Sequence, residues 1–276
     1  MLVRKHAGEF AICFILMSAA ITWIQCTSLP MPMLWVFGLA LLAYMLYKLG
    51  SFSLFKISSS IKETSILALF MIIGYILYYL CGEMIRNSLI DHAAWGIILS
   101  RLSLILFVLP FALGAILTRE RPLYLTRGNW MTTIHFPWIF KGPIKDPIWR
   151  FMLIFLVIIC ALFSFFIDWG QPKLLVLIGY AFSFALINSI LEELLWRGFI
   201  LSHFVSRFGE IQGLFIAGTA FGLYHYHLGF SWPVCLLFSL FGIMMGGVAI
   251  RSLGLVPVMV MHFVMNILFV LSGMIL

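Results

Sequence analysis

The chain is a succession of long apolar runs with short polar or proline-containing breaks between them. About 20 predominantly apolar residues suffice for one bilayer crossing. Runs of that kind lie near 8–27, 31–48, 64–84, 95–118, 151–168, 173–200, 211–229, 232–251 and 255–275, the sixth being longer than one crossing needs. The expected fold class is therefore all-α: a polytopic transmembrane helical bundle of about eight or nine spans. Pro30, Met31 and Pro32 make a tight reversal between the first two runs.

Composition agrees with this reading. The 276 residues are 63% hydrophobic and 10% charged, against about 25% charged in soluble domains, and the mean hydropathy is +1.12. The formal net charge of +7 does not imply nucleic acid, because excess Lys and Arg in such a chain mark cytoplasmic loops that contact anionic lipid. Arg4 and Lys5 put the N-terminus in the cytoplasm, and the run behind them reads as an uncleaved first span. Lys48, Lys56 and Lys62 in the second loop are inside on the same rule, as are Arg119, Arg121, Arg127, Lys141, Lys145 and Arg150 in the fourth. The cysteines Cys13, Cys26, Cys81, Cys160 and Cys235 are scattered without a CxxC spacing. They read as buried, inert thiols.

The one sizeable hydrophilic connection is 119–150. Pro122, Pro137, Pro143 and Pro147 argue against a continuous helix there. It divides an N-terminal extension of about four spans and a cytoplasmic linker, 1–150, from a C-terminal domain, 151–276.

The deep polar groups of the acid–base kind collect in that second part. Glu192 and Glu193 are the only acidic residues with strongly apolar neighbours on both sides, and an ionisable group in hydrocarbon is by default a functional one. On a helix Glu193 and Arg197 stand at i, i+4 and can pair, which leaves Glu192, turned about 100° away, for another partner. Phe221 and His225 share a helix face, as do His262 and Asn266. A Glu with two His can hold and deprotonate a water, with or without a divalent metal such as zinc. Asn266 can donate a hydrogen bond to a developing oxyanion. His227 points to another face and reads as interfacial. Gly218 with Gly222, and Gly242 with Gly246, form faces that let helices approach closely.

These residues carry a resemblance. Glu192-Glu193-Leu-Leu-Trp-Arg197, Phe221-Gly-Leu-Tyr-His225 and His262-Phe-Val-Met-Asn266, in that order, resemble the EExxxR, FxxxH and HxxxN motifs of the CPBP family, also called Abi. That family comprises CAAX proteases and bacteriocin-processing enzymes. The likeness covers about 175–270 and leaves 1–150 outside. It implies an intramembrane peptidase with a polar site in the C-terminal half. Glu192 would activate water, and His225 and His262 would serve as ligands or acid–base partners. Asn266 would stabilise the oxyanion, and Glu193 and Arg197 would order the site. A metal held by Glu192, His225 and His262, or none, is compatible with the motif. The implied substrate is a membrane-embedded or lipidated protein or peptide, and the implied location a bacterial cell membrane. A non-catalytic immunity or scaffold protein of the same fold, and a proton carrier using the Glu pair, are the alternatives.

One expectation concerns depth. If the sixth run ends near 200, Glu192 lies toward the cytoplasmic end and His225 toward the other face. Spans six and seven would then have to tilt, or 197–209 lie along the interface.

Overall fold

The computed structural model describes residues 2–25, 59–137 and 139–275, with no side-chain description for 2–7. The expected span near 31–48, the Pro30–Pro32 reversal, Cys26, Lys48 and Lys56 lie outside the described residues, as do the side chains of Arg4 and Lys5.

Because hydrocarbon offers a backbone no hydrogen-bond partners, the apolar runs close their own bonds as helices. In chain order these are α1 (Leu2–Gln25), α2 (Ser59–Ser88), α3 (Ala93–Ser100), α4 (Leu104–Thr118), α5 (Ile148–Ser164), α6 (Leu174–Glu193), α7 (Ser202–Phe208), α8 (Glu210–Tyr224), α9 (Trp232–Ser252) and α10 (Val256–Leu271). A single 3-10 turn, Arg101–Ser103, joins α3 to α4. Among the described residues five helical segments are long and apolar enough to cross a membrane: 8–25, 59–88, 90–118, 174–208 and 232–252. Ile148–Ser164 and Val256–Leu271 are shorter apolar helices. The bundle is integral to a membrane, but the count of eight or nine spans is not reproduced in the described residues. Large apolar side chains on α5, such as Leu153, Val157 and Leu162, face outward, as lipid contact requires.

The bundle is all-α as expected, with one small addition in the linker: Thr133–Phe136 and Ile144–Pro147 pair as a two-stranded antiparallel sheet, with Thr133 opposite Pro147. The 119–150 connection is tied to the turn between α9 and α10 by Asn129 N–H to the Ser252 carbonyl at 2.8 Å and Leu255 N–H to the Thr126 carbonyl at 2.9 Å. Of the cysteines, Cys13 and Cys235 are buried, but Cys81 is only partly so and Cys160 is exposed, because its face of α5 is an outward one.

The length of the sixth helix bears on how Glu192 and His225 come level with each other. α6 continues through a π-helical stretch, Leu194–Leu201, straight into α7. The reversal comes at Gly209, whose φ of +82° lies in the region open to glycine. Phe208 follows Glu192 by about as many residues as His225 follows Glu210, so the return helix α8 brings His225 back level with Glu192.

Close backbone approach of α8 and α9 holds that alignment. A Cβ on Gly222 would stand 2.5 Å from the Cys235 carbonyl oxygen, and one on Gly218 would stand 2.8 Å from the Ile243 nitrogen. Between helices already in lipid, such packing rather than water exclusion drives association. Gly222→Ala is therefore expected to cost about 2–3 kcal/mol by overpacking, read as a lowered unfolding temperature in detergent. Gly179→Ala, where nothing lies within 4 Å, should be neutral or stabilising.

Candidate active site

Glu192 and Glu193 close α6, and the wider turn that follows carries Arg197. π-helical stretches are frequent at functional positions. Here the stretch keeps the i, i+4 pair intact: Arg197 Nη1 lies 2.6 Å from Glu193 Oε1. The same guanidinium donates to the Gly242 carbonyl on α9 at 3.4 Å and sits 4.3 Å from the centroid of the Phe221 ring on α8. Arg197 thus knits three helices, while its charge is matched by Glu193 and the ring face.

Glu193 has a second partner. His262 Nδ1, arriving from α10, lies 2.7 Å from the same Oε1. A carboxylate only accepts, so Nδ1 carries the hydrogen and the ring is held in one orientation. Its other nitrogen, Nε2, faces Glu192 Oε2 at 3.7 Å. The result is a buried chain, Arg197–Glu193–His262–Glu192, in which Glu192 is 2% exposed and Glu193 0%. Glu192 Oε2 has no hydrogen-bond partner among the described residues.

His225 lies at the C-terminal end of α8, its Nδ1 donating to the Phe221 carbonyl at 2.7 Å. This fixes Nε2 as its free nitrogen. The ring stacks on Phe238 at 4.4 Å and meets Phe221 at 4.6 Å. Phe221 also meets His262 at 6.2 Å, so one aromatic ring seats both imidazoles and Arg197. Asn266 follows His262 by one turn of α10 and is buried, and its Nδ2 has no partner among the described residues. His227 stands apart against Tyr75, ring centroids 5.3 Å apart.

The residues do not fit a three-ligand metal site in this arrangement. Among the described residues no three His, Cys, Asp or Glu side chains come close enough to share an ion. His262 has already committed Nδ1 to Glu193, and only the Glu192–His262 edge offers a pair of converging donors.

Sequence reasoning missed the contribution of the N-terminal helices. Arg101, in the turn between α3 and α4, donates to Tyr78 Oη of α2 at 3.1 Å and covers the Phe184 ring of α6 at 5.2 Å. Its charge is felt at Glu192, Tyr224 and His225. The signal was present, since Arg101 is a charge inside the apolar run 95–118, the same cue that marked Glu192. Asn188, one turn before Glu192, and Tyr224 also bring buried polar atoms, Oδ1 and Oη, without a partner among the described residues.

The family model described as type II CAAX prenyl endopeptidase Rce1-like matches residues 151–268. No curated protein and no solved structure matches the chain.

Proposed function

We propose that this chain, whose residues 151–268 belong to the Rce1-like family of CAAX endopeptidases, is an intramembrane endopeptidase that hydrolyses a peptide bond of a lipidated or membrane-embedded substrate with water activated by Glu192. The observation that carries this reading is the juxtaposition of Glu192 Oε2 and His262 Nε2 across 3.7 Å, with the imidazole held from behind by Glu193. Both facing atoms are acceptors when the imidazole is neutral. A water within hydrogen-bonding distance of both, about 2.8 Å, donates one hydrogen to each.

The reaction follows from those roles. The water oxygen bonds to the scissile carbonyl carbon as Glu192 takes its proton. The carbonyl oxygen becomes an oxyanion, to which Asn266 Nδ2 donates a hydrogen bond. The C–N bond then breaks and the proton passes from Glu192 to the leaving amine, giving a new carboxylate and a new amino terminus. Glu193 and Arg197 act as positioning residues, because they meet His262 and the helices rather than the reacting atoms. No step is routed through a metal. A cytoplasmic N-terminus is the orientation that the Lys and Arg distribution supports.

The test compares membrane-peptide termini in cells carrying the wild-type chain and cells carrying Glu192→Gln at equal expression. New termini that depend on Glu192 are the expected result. Identical termini across several growth conditions would turn attention to the non-catalytic immunity or scaffold reading.

A further inference from the structure

We infer that the cavity between α2, α4 and α7 binds one phospholipid of the cytoplasmic leaflet, and that its rim selects an ethanolamine headgroup. None of the residues lining this cavity belongs to the Glu192–His262 site, so the inference does not depend on the peptidase reading.

The cavity has a volume of about 520 Å³, within the roughly 300–1,000 Å³ of ordinary ligand pockets. Its walls are helix faces that all change from polar to apolar in one direction. Along α2 the lining passes from Ser59 and Glu63 to Leu67 and Phe70. Along α4 it passes the other way, from Phe111 and Ala115 to Thr118. The long sixth helix gives Phe199 first and ends in His203, Ser206 and Arg207 of α7. Ion pairs of Arg207 with Glu63 and Glu120 gather the three polar ends at one place. That is the end which the Lys and Arg distribution puts at the cytoplasmic surface.

The apolar part suits an acyl chain. From Glu63 to Phe70 it runs about 10 Å, two-thirds of the hydrocarbon of one leaflet. Phe111 meets Phe70 at 5.9 Å and Phe199 at 6.2 Å, and these rings offer no hydrogen-bonding group. A peptide backbone laid here would leave its N–H and C=O groups unmatched at a cost. A hydrocarbon chain has none to match.

The rim carries separated charges of both signs. Arg207 Nη2 is shared between Glu63 and Glu120, the latter at 3.4 Å. Its Nη1 donates to the His203 carbonyl at 3.1 Å and to the Ser206 hydroxyl at 3.0 Å. One fully engaged cation between two carboxylates leaves negative charge in excess. Arg121, also at the rim and exposed, forms no ion pair with any described carboxylate. A zwitterion answers both needs: its phosphate takes the Arg121 guanidinium, and its ammonium donates to the carboxylates. A primary ammonium has three N–H donors. Choline has none, and phosphatidylglycerol brings no cation.

The experiment uses the full chain purified in detergent and freed of copurifying lipid. The probes are dioleoyl phosphatidylethanolamine, phosphatidylcholine and phosphatidylglycerol in mixed micelles. One-lipid adducts are counted by native mass spectrometry, and the unfolding temperature, which rises when a ligand binds the folded state, is read alongside. The ethanolamine lipid is expected to bind about fivefold more tightly than the other two, the scale of one partly exposed ion pair. Glu120→Gln should abolish that preference and leave the affinity for phosphatidylcholine as it was. Arg121→Gln should weaken all three lipids, and Ala115→Trp, which fills the path of the acyl chain, should remove the one-lipid adduct. Equal binding of the three lipids by the wild-type chain would overturn the inference. So would an undiminished adduct in Ala115→Trp, which would put the lipid on the outer surface of the bundle. Should that variant fail to fold, Glu120→Gln still decides, because its side chain is 60% exposed. Binding of an S-farnesylated peptide in the cavity, with none of the phospholipids bound, would assign it to a substrate's lipid and overturn the inference as well. Hydrolysis is not among the readouts, so loss of the peptidase reading leaves these outcomes unchanged.

Discussion

Glu192→Gln is expected to lower the rate of peptide hydrolysis by about 10²–10⁴-fold, with the unfolding temperature in detergent nearly unchanged. The amide keeps the volume and one acceptor oxygen of the carboxylate, and Glu192 carries no ion pair with Arg197, so packing has little to lose. What disappears is the group proposed to take the proton from water. The loss should appear in kcat rather than KM, because deprotonation matters only as the new bond forms. Kinetics on the purified chain, paired with a thermal melt, check both halves. A variant that hydrolyses peptide at the wild-type rate would remove Glu192 from its role.

The second large effect is on stability. Arg197→Met leaves Glu193 buried, 0% exposed, with its charge uncompensated except by His262 Nδ1. Removing one partner of a buried ion pair costs about 3–5 kcal/mol, and here the loss also frees the Gly242 carbonyl and the Phe221 face. Adding Glu193→Gln to Arg197→Met removes the stranded charge and should recover much of the stability. It should not recover activity, since His262 then lacks the carboxylate that holds its ring. Chemical denaturation of the single and double variants, with hydrolysis measured on each, separates the two roles. Recovery of both stability and rate in the double variant would show that Glu193 does not position His262.

Much of this site was legible before any tertiary structure. The i, i+4 spacing of Glu193 and Arg197 foretold their pairing, because neighbours on one helix face are set by helical periodicity alone. The observed 2.6 Å contact needed nothing else. The bilayer-length runs likewise announced helices. Less was legible where the answer lay between helices. Glu192 was read as the carboxylate left for other partners, yet His262 bonds Glu193 directly and only faces Glu192. Tilted spans six and seven, or an interfacial 197–209, were the expectations from sequence, and the helix that runs through Leu201 to Phe208 before turning is a feature neither named. Arg101 belongs to no motif in the sequence, and only the packing of the N-terminal helices brings it against Tyr78 and the Phe184 ring of α6.

The sequence by itself determined which residues share a helix face and that the chain lives in a membrane. Both follow from local rules, the helical repeat and the apolar length of each run. The tertiary structure alone decided which carboxylate steadies His262, how Gly209 and the length of α8 return His225 to the level of Glu192, and that a cation from the first half of the chain meets the site. Those outcomes depend on where distant helices cross and how closely their backbones approach. The glycines of α8 and α9 allow that approach, and no spacing within a single helix encodes it.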